Sequence, residues 1–345
     1  MRFGLFGSAQ ARRPDPGTEL TDSSQGFHDW IENNVEAEAL GYHSTFVVEH
    51  HFTGFGQVSA SLNLLTWLGA RTSTLRLGTA VLVLPWHNPV LLAEQAATLD
   101  LLSGGRLDFG IGKGYRYNEF AGFCVPMEDA DARFDEAMAV ITKAFVSDAP
   151  FSHRGHYWQY DNIIVEPPTA QRPHPPFWMG AGSERSVRQV AERGYNLLLG
   201  QYDLADDVIR HVAQFKTDVT QRGRTYNPME VGIARAVHIA RDKDDLAAAL
   251  ERRFQGHMRI NKLSERPGDT RERFVHDESE VRHLCNETAL FGTPDEIARK
   301  LEKLRAGGVE YVMINFGGSR ENIRRFARDI MPAFSGAPHL ADAAK

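Results

Sequence analysis

The stretch that decides the fold is Leu75–Gly114, "LRLGTAVLVLPWHNPVLLAEQAATLDLLSGGRLDFGIGKG". It begins with an apolar run from Leu75 to Pro85, which predicts a strand buried on both faces. A helical segment follows, with a proline near its start and two glycines after its end, the usual order at helix ends. "GRLDFGIGKG" predicts a second buried strand. The stretch is therefore a strand–helix–strand unit typical of parallel sheets.

Similar units extend along the whole chain. Further buried strands are predicted in "RFGLFG", "LGYHSTFVVEH", "PPFWMGAGS", "YNLLLGQ", "MEVGIARAVHIA" and "VEYVMINFGG", and helical patterns separate them. The total is eight strands, which predicts an α/β fold of the (β/α)8 TIM-barrel type. A doubly wound sheet is the alternative, but no GxGxxG turn follows the first strand. We expect one domain over residues 1–335 and a frayed tail over 336–345.

Two segments depart from the repeating unit. Residues 150–175, rich in proline and aromatic residues, predict an excursion after the fourth helix. Residues 256–292 are highly charged and weakly periodic, and they precede the last helix–strand unit. Because connections of this length are usually lids or disordered loops, we predict a mobile, lid-like insertion.

Composition excludes several classes of protein. The chain has 345 residues, a net charge of −6 and no basic block, which argues against nucleic acid as a partner. Its two cysteines, Cys124 and Cys285, form no disulfide framework and fit a reducing cytoplasm. No apolar run is long enough for a secretory signal or a membrane span. We therefore expect a cytoplasmic protein that acts away from membranes.

Unusual chemistry follows the second strand, in "VVEHHFTGFG" (Val47–Gly56). In a barrel, side chains after the strand ends line the active site. His50 and His51 are adjacent, and neighbours along an extended chain face opposite sides, so they are poorly placed to chelate one metal ion. No HExxH or HxH motif accompanies them. We predict no metal, one histidine facing the pocket and the other packing or capping.

The fifth strand ends in "MGAGSERS", the clearest ligand signal. Glycines allow a ligand to approach the backbone, Ser183 is a natural N-cap, and a helix start offers free N–H groups. Ser186, one turn later, adds a hydroxyl, and Lys113 after the neighbouring fourth strand adds a positive charge. A phosphate site and an ordinary glycine–serine cap with a surface lysine are both consistent with these residues.

Together these residues carry a family resemblance. "VVEHHFTGFG", the stretch Leu77–Gly114, "AERG", "FGTPDEIARKLEKLRAGGVEYVMINFGG" and "DIMPAF" resemble the bacterial luciferase-like flavin monooxygenases, in order along nearly the whole chain. The resemblance implies a TIM barrel that uses reduced FMN (FMNH2) from a separate NAD(P)H flavin reductase. It also implies that O2 adds at flavin C4a and that the resulting (hydro)peroxyflavin oxidises a small apolar substrate, such as an aldehyde or ketone. The 256–292 segment falls where the family carries a mobile active-site loop.

The resemblance also assigns catalytic and ring-binding roles. His50 matches the family's catalytic histidine beside the reactive flavin edge, and Glu49 is the neighbouring acid. Ala80–Val81 matches a non-proline cis peptide under the isoalloxazine ring. Gly112 replaces a reactive cysteine of luciferase near the flavin, which counts against bioluminescence.

The same resemblance implies the phosphate contacts. Lys113 stands where luciferase has a phosphate-binding arginine, and Ser183 and Ser186 stand at phosphate-contacting hydroxyl positions. Gly182 replaces an acidic residue of luciferase, a second departure that counts against bioluminescence.

The substrate pocket is expected to have aromatic walls, and the candidates are Phe52, Trp86, Tyr115, Tyr117, Trp178 and Phe316. Two alternatives to the monooxygenase are an F420-dependent oxidoreductase of the same fold and a flavin-binding protein without catalysis. Family members pair through helices flanking strands two and three, so we expect a homodimer. The identity of the substrate is not determined by the sequence.

Overall fold

Parallel strands close into a barrel with helices between them. The computed structural model of the protein describes residues 1–11, 24–265 and 277–335. The strands in this part of the chain are β1 (Arg2–Gly7), β2 (Ser44–Val47), β3 (Arg76–Thr79), β4 (Leu82–Val83), β5 (Leu107–Gly112), β6 (Phe151–Arg154), β7 (Gln159–Ile163), β8 (Phe177–Ala181), β9 (Asn196–Leu199), β10 (Val231–Ile239), β11 (Leu290–Gly292) and β12 (Tyr311–Asn315). The helices are α1 (Gln25–Ala39), α2 (Ser61–Gly69), α3 (Pro89–Leu102), α4 (Tyr117–Gly122), α5 (Ala130–Val146), α6 (Glu184–Arg193), α7 (Ala205–Gln221), α8 (Lys243–Ser264), α9 (Glu278–Glu287), α10 (Pro294–Ala306) and α11 (Arg320–Asp329).

The barrel strands pair in the order β1, β2, β3, β5, β8, β9, β10 and β12, and β12 pairs with β1 to close the ring. Every pairing between them is parallel. The carboxyl ends of all eight strands therefore meet at one rim. The predicted (β/α)8 fold is confirmed, and the doubly wound alternative is wrong.

The stretch Leu75–Gly114 folds as a strand–helix–strand unit. The Asn88 side chain caps α3, accepting hydrogen bonds from the N–H groups of its second and third residues at 3.1 Å each. Gly104 and Gly105, after the helix, have φ of 68° and 81°, where only glycine is relaxed. The first strand differs from the expected continuous run, because it divides into β3 and β4 at Ala80–Val81.

The barrel interior is packed with side chains from opposite strands. Its apolar cluster consists of Phe46, Trp178, Leu198, Tyr311 and Met313. Below it, Asp108 accepts two hydrogen bonds from Arg76, at 2.7 and 2.8 Å, and one from Trp178 Nε1 at 3.0 Å. Trp178 is therefore a core residue. Phe316 is also core, since its ring packs edge-on against Phe326 of α11. These two of the six aromatic candidates therefore belong to the core.

The excursion at 150–175 contains an antiparallel hairpin, β6–β7. Glu136 of α5 anchors it by accepting hydrogen bonds from the backbone N–H groups of His156, Tyr157 and Trp158 at 2.8–3.2 Å. An excursion after the fourth barrel helix, α5, was therefore predicted correctly.

The second segment is more regular than its sequence suggests. Residues 256–264 continue α8, while residues 278–292 contain α9 and β11, which pairs with β10. The helix α9 buries only Val281 and Cys285, against Phe254 of α8, so its apolar periodicity is weak. Residues 266–276 and the tail 336–345 lie outside the described residues, and the mobile loop and frayed tail stay predictions. Within the described ranges, each helix is too short or too polar to span a bilayer.

The contact between β3 and β5 gives a test of this packing. A Cβ on Gly110 would lie 1.6 Å from the carbonyl oxygen of Thr79, whose hydroxyl also donates to the Gly110 carbonyl at 2.7 Å. Gly110→Ala should therefore lower the free energy of unfolding by about 3 kcal/mol, the upper part of the usual range for overpacking. Gly256→Ala, in α8 with open space around it, is the control and should be neutral or stabilising. Urea denaturation measures both, and equal stability of the two variants would contradict the packing.

Candidate active site

The predicted site residues lie at one rim of the barrel. His50 follows β2, Ala80 and Val81 follow β3, Lys113 follows β5, and Ser183 follows β8. Because these strands are parallel and successive in the barrel, the four positions form an arc along the rim. This is the arrangement that the sequence predicted.

The two adjacent histidines diverge, as expected for an extended chain. His50 Nδ1 lies 3.1 Å from Glu119 Oε1, whereas His51 Nε2 lies 2.8 Å from Glu49 Oε1. Each imidazole is thus held by a different carboxylate. Among the described residues, no group of three or more His, Cys, Asp or Glu side chains is placed to hold a metal ion.

Glu49 is a buried anion surrounded by donors. Its side chain is fully buried, and it accepts hydrogen bonds from His51 Nε2 at 2.8 Å, Trp86 Nε1 at 2.9 Å and His87 Nε2 at 2.9 Å. The backbone N–H of Val83 donates to its second oxygen at 3.3 Å. Burial alone would raise the pKa of Glu49, but these hydrogen bonds outweigh it and lower the pKa to about 2. Glu49 therefore acts as a fixed charge that positions the rim, rather than as an acid that reaches a ligand.

Glu119 is a site residue that the sequence reasoning missed. It is buried, and it accepts hydrogen bonds from His50 Nδ1 at 3.1 Å and from the backbone N–H of His51 at 2.9 Å. It lies on the short helix α4, seven residues after the end of β5. Its only signal was the charged pattern of "YRYNEF", which does not reveal that α4 folds back over the end of β2.

The surroundings of His50 favour its neutral form. Burial lowers the pKa of His50, the hydrogen bond from its Nδ1 to the Glu119 carboxylate raises it, and the positive charge of Arg116 lowers it again. The net direction is downward from 6.5, so the imidazole is neutral at physiological pH. A neutral histidine beside a carboxylate can accept a proton from a ligand and return it.

The Ala80–Val81 peptide, which we call the shelf, follows β3, the strand next to the one that His50 follows. The Ala80–Val81 peptide is cis, as the resemblance implied, and the Ala80 N–H donates to the Val47 carbonyl at 2.8 Å. A Cβ on Gly112 would lie 2.5 Å from Val81 Cγ2, so Gly112 lets the shelf rest directly on β5. The residue that stands in place of the luciferase cysteine thus has a packing role here.

The other end of the arc holds a capped helix start. Ser183 Oγ accepts from the Ser186 N–H at 3.3 Å, and Ser186 Oγ accepts from the Ser183 N–H at 3.0 Å, which forms a reciprocal cap for α6. A Cβ on Gly182 would meet no atom within 4 Å. Lys113, on the adjacent strand end, pairs with Asp131 at 2.7 Å. This end therefore offers exposed hydroxyls, a helix N-terminus and one cation.

Aromatic rings cover the outer side of the Glu49 cluster. The Trp86 ring stacks on Phe123 at 5.2 Å, and Phe123 also contacts Phe52 at 5.0 Å. Tyr115 is 47% exposed and Tyr117 is half-buried at the start of α4. Trp86 and Phe52 thus belong to one aromatic wall with Phe123, a residue that the sequence reasoning missed.

The shelf, the capped helix start and the histidine between carboxylates fit a planar ring system that carries a phosphate. The shelf offers a flat surface, and the α6 end offers an anion site. These features define a TIM-barrel protein whose rim is shaped for a flavin-like cofactor. Among the residues present, Ala80, Val81 and Gly112 would hold the ring, and Lys113, Gly182, Ser183 and Ser186 would hold the phosphate.

Comparison with known proteins agrees with this class. Residues 1–311 match the profile of the luciferase-like monooxygenase family, so the chain belongs to this family of oxidoreductases. The chain is 25% identical, over 97% of its length and 96% of the relative, to the oxygenase component of flavin-dependent trigonelline monooxygenase from Acinetobacter baylyi. It is also 25% identical to an FMNH2-dependent dimethylsulfone monooxygenase from Pseudomonas putida, over 86% of this chain and 85% of that one.

Two further comparisons concern length and fold. An uncharacterized protein from Sinorhizobium fredii is 29% identical over 66% of this chain, and the match spans 65% of that protein, slightly under two thirds of its length. The crystal structure of monooxygenase RslO1 from Streptomyces bottropensis matches 97% of this chain and 100% of its own, with a TM-score of 0.80 and 23% identity. The fold is therefore shared over 97% of this chain.

The Glu49 cluster gives a prediction about stability and pH. The pKa of Glu49 falls from 4.5 to about 2, which corresponds to about 3 kcal/mol of stabilisation of the charged form. Because the folded pKa is the lower one, this contribution is present above pH 4.5 and disappears as the pH falls towards 2. Glu49→Gln should therefore lower the free energy of unfolding at pH 6.5, and the difference from the wild type should shrink below pH 4.5. Urea denaturation across this range measures it, with Glu166→Gln, at an exposed position, as control.

The Glu119 contact gives a second prediction. Glu119→Gln removes a hydrogen bond and a charge that raise the pKa of His50, so this pKa should fall further. NMR titration of the labelled imidazoles in the cofactor-free protein measures the change. Glu136→Gln, in the distant hairpin contact, should leave the His50 titration unchanged. An unchanged or higher pKa of His50 in Glu119→Gln would contradict the assigned contact.

Proposed function

We propose that this protein is the oxygenase component of a two-component monooxygenase that uses reduced FMN and O2 to oxidise a small, largely apolar organic substrate. The observation that carries the proposal is the rim, where the cis Ala80–Val81 shelf lies between His50 on one side and the capped start of α6 on the other. The names of the two full-length relatives support it, since one is an oxygenase component and the other uses FMNH2.

Bound reduced FMN supplies the two electrons that let O2 deliver one oxygen atom to the substrate and the other to water. The chain's own residues hold the ring and manage the protons. With Nδ1 of His50 engaged by Glu119, proton transfer to or from the ligand falls to Nε2. Glu49 is too enclosed to take part directly, and it supports His50 by fixing His51, Trp86 and His87.

Exclusion of water is the second task of this rim. The wall built from Trp86, Phe123 and Phe52 surrounds the His51 ring, next to His50 in the chain, with apolar surface. A dry site strengthens the electrostatic contacts of His50 and limits loss of the activated oxygen to solvent. Residues 266–276 lie in the segment that we propose as a lid.

The proposal includes two protein partners. A separate NAD(P)H flavin reductase would supply the reduced flavin, as the name "oxygenase component" implies for the Acinetobacter relative. A second copy of the chain would bind the outer face of α2, where Trp67 is 60% exposed beside a groove lined by Phe27, Ile31 and Leu64. We further propose a cytoplasmic location, in keeping with a diffusible reductase.

The test is oxygen transfer with labelled O2. The purified protein, given FMNH2 from a generic reductase and a panel of aldehydes, ketones and small organic acids, should incorporate one ¹⁸O atom into a product detected by mass spectrometry. His50→Ala should bind FMN with unchanged affinity but oxidise the substrate at least about a hundredfold more slowly, the usual effect of losing a proton-transfer group. His153→Ala, in the distant hairpin, should retain the wild-type rate.

Two outcomes would overturn the proposal. One is tight binding of F420 with no measurable affinity for FMN, which would favour the F420-dependent oxidoreductase. The other is FMN binding with no product from any member of the panel and no accelerated reoxidation of FMNH2, which would favour a non-catalytic flavin-binding protein. Equal rates in His50→Ala and the wild type would remove the role assigned to His50.

A further inference from the structure

Arg116 is a buried cation next to the reactive histidine, and the proposed mechanism does not use it. It follows β5 directly before α4, and only 2% of its side chain is exposed. The neighbouring Tyr115 ring lies 5.7 Å from its guanidinium carbon, which is a weak cation–π contact. A fully buried guanidinium is rare unless it is paired, because desolvation of a charge is costly.

The guanidinium is not fully paired within the protein. Among the residues that the structure describes, neither Nε nor Nη1 of Arg116 has a hydrogen-bond partner. The nearest carboxylate oxygen, Glu119 Oε1, lies 3.9 Å from Nη1, beyond hydrogen-bond distance. That oxygen already accepts from His50 Nδ1 and from the His51 N–H. Arg116 therefore keeps unused donors in a buried position.

The other charged and titratable groups near His50 have partners. Glu49 is enclosed by His51, His87 and Trp86, and Glu119 is engaged by His50. Arg116 is close enough that its charge lowers the pKa of His50, which places the two side chains in one electrostatic cluster. The unused donors of Arg116 thus belong to the same buried cluster as His50, joined to it through Glu119.

We propose that Arg116 binds a carboxylate on the substrate, so that the protein oxidises small organic acids with an apolar body rather than neutral aldehydes or ketones. The proposal rests on the proposed function, and it deepens that function by naming the substrate class. A guanidinium is the side chain best suited to a carboxylate, because it is planar, always charged and able to donate two parallel hydrogen bonds. The exposed Tyr115 ring, beside the guanidinium, would contact the apolar body of the acid.

The phosphate of the cofactor is the other anion to consider, but Arg116 is unsuitably placed to bind it. The residues that we propose for phosphate binding, Lys113 and Ser183, follow β5 and β8. Lys113 is three residues before Arg116, and the chain turns between them at Gly114, where φ is 78°. Arg116 instead belongs with His50, after β2, through their shared contact with Glu119. The experiment therefore measures FMN affinity separately.

The experiment compares acids with their neutral amides. Binding of benzoate and benzamide, phenylacetate and phenylacetamide, and hexanoate and hexanamide is measured by calorimetry, with and without oxidised FMN. The wild type should bind at least one acid tenfold or more tightly than its amide. Arg116→Met should lose that preference, Arg116→Lys should keep part of it, and Arg154→Met, in the exposed hairpin, should match the wild type. The affinity for FMN should stay within twofold in all variants.

Several results would overturn the proposal. One is an equal affinity of the wild type for the acid and the amide of every pair. Another is a preference for the acid that survives in Arg116→Met. The third is a variant of Arg116 that loses FMN affinity tenfold or more and keeps its preference for the acid. If Arg116→Met does not fold, Arg116→Lys decides, since it should weaken acid binding at least threefold and leave amide binding unchanged. The preference should also persist from pH 6 to pH 9, because arginine stays charged. A preference that disappears as the pH rises would assign the anion to a group that loses its positive charge in this range, and not to Arg116.

These measurements separate the two proposals. Acid binding and FMN binding are read without turnover, so a failed Arg116 assignment leaves ¹⁸O incorporation as an independent result. Conversely, intact acid recognition with no oxygen transfer would refute the monooxygenase and retain the anion site.

Discussion

The rim of this barrel depends on the burial of one carboxylate, Glu49. Its donors come from both sides of the shelf, because His51 follows β2 whereas Trp86 and His87 follow β4. The desolvation of a buried carboxylate is repaid only when every oxygen is well hydrogen-bonded, and removing a partner leaves an uncompensated charge. Glu49 therefore ties two strand ends into one rigid surface. The orientation of His50 follows from this, since its neighbour His51 is fixed in the opposite direction.

A second buried carboxylate extends the same principle. Glu119 reaches the β2 end from α4, so the cluster alternates acids with imidazoles and ends at Arg116. Alternation of this kind gives each buried carboxylate a hydrogen-bond donor in a low-dielectric site. It also separates two tasks, because Glu49 holds the scaffold and Glu119 holds Nδ1 of His50, the histidine that we propose faces the ligand.

The sequence predicted those features that local pattern determines. The eight strands, the α6 cap at Ser183 and the divergence of the two histidines follow from periodicity and strand geometry, and the family resemblance added the Ala80–Val81 cis peptide. Contacts that depend on where distant segments meet were missed. Glu119 and Arg116 look like ordinary helix-start charges in "YRYNEF", and only the return of α4 over β2 makes them part of the site. Trp178 is a similar case, because its hydrogen bond to Asp108 places it in the barrel interior, which the sequence alone does not show.

The charge cluster couples substrate binding to the proton at His50. The positive charge of Arg116 helps to keep the pKa of His50 low in the free protein. A substrate carboxylate bound to Arg116 would cancel that charge, so the pKa of His50 would rise when the site fills. The histidine would then accept a proton more readily in the complex than in the free protein, at the stage when oxygen chemistry releases and consumes protons. An anionic substrate would thereby bring the proton-transfer group closer to its useful range, whereas a neutral substrate of the same shape would leave it unchanged.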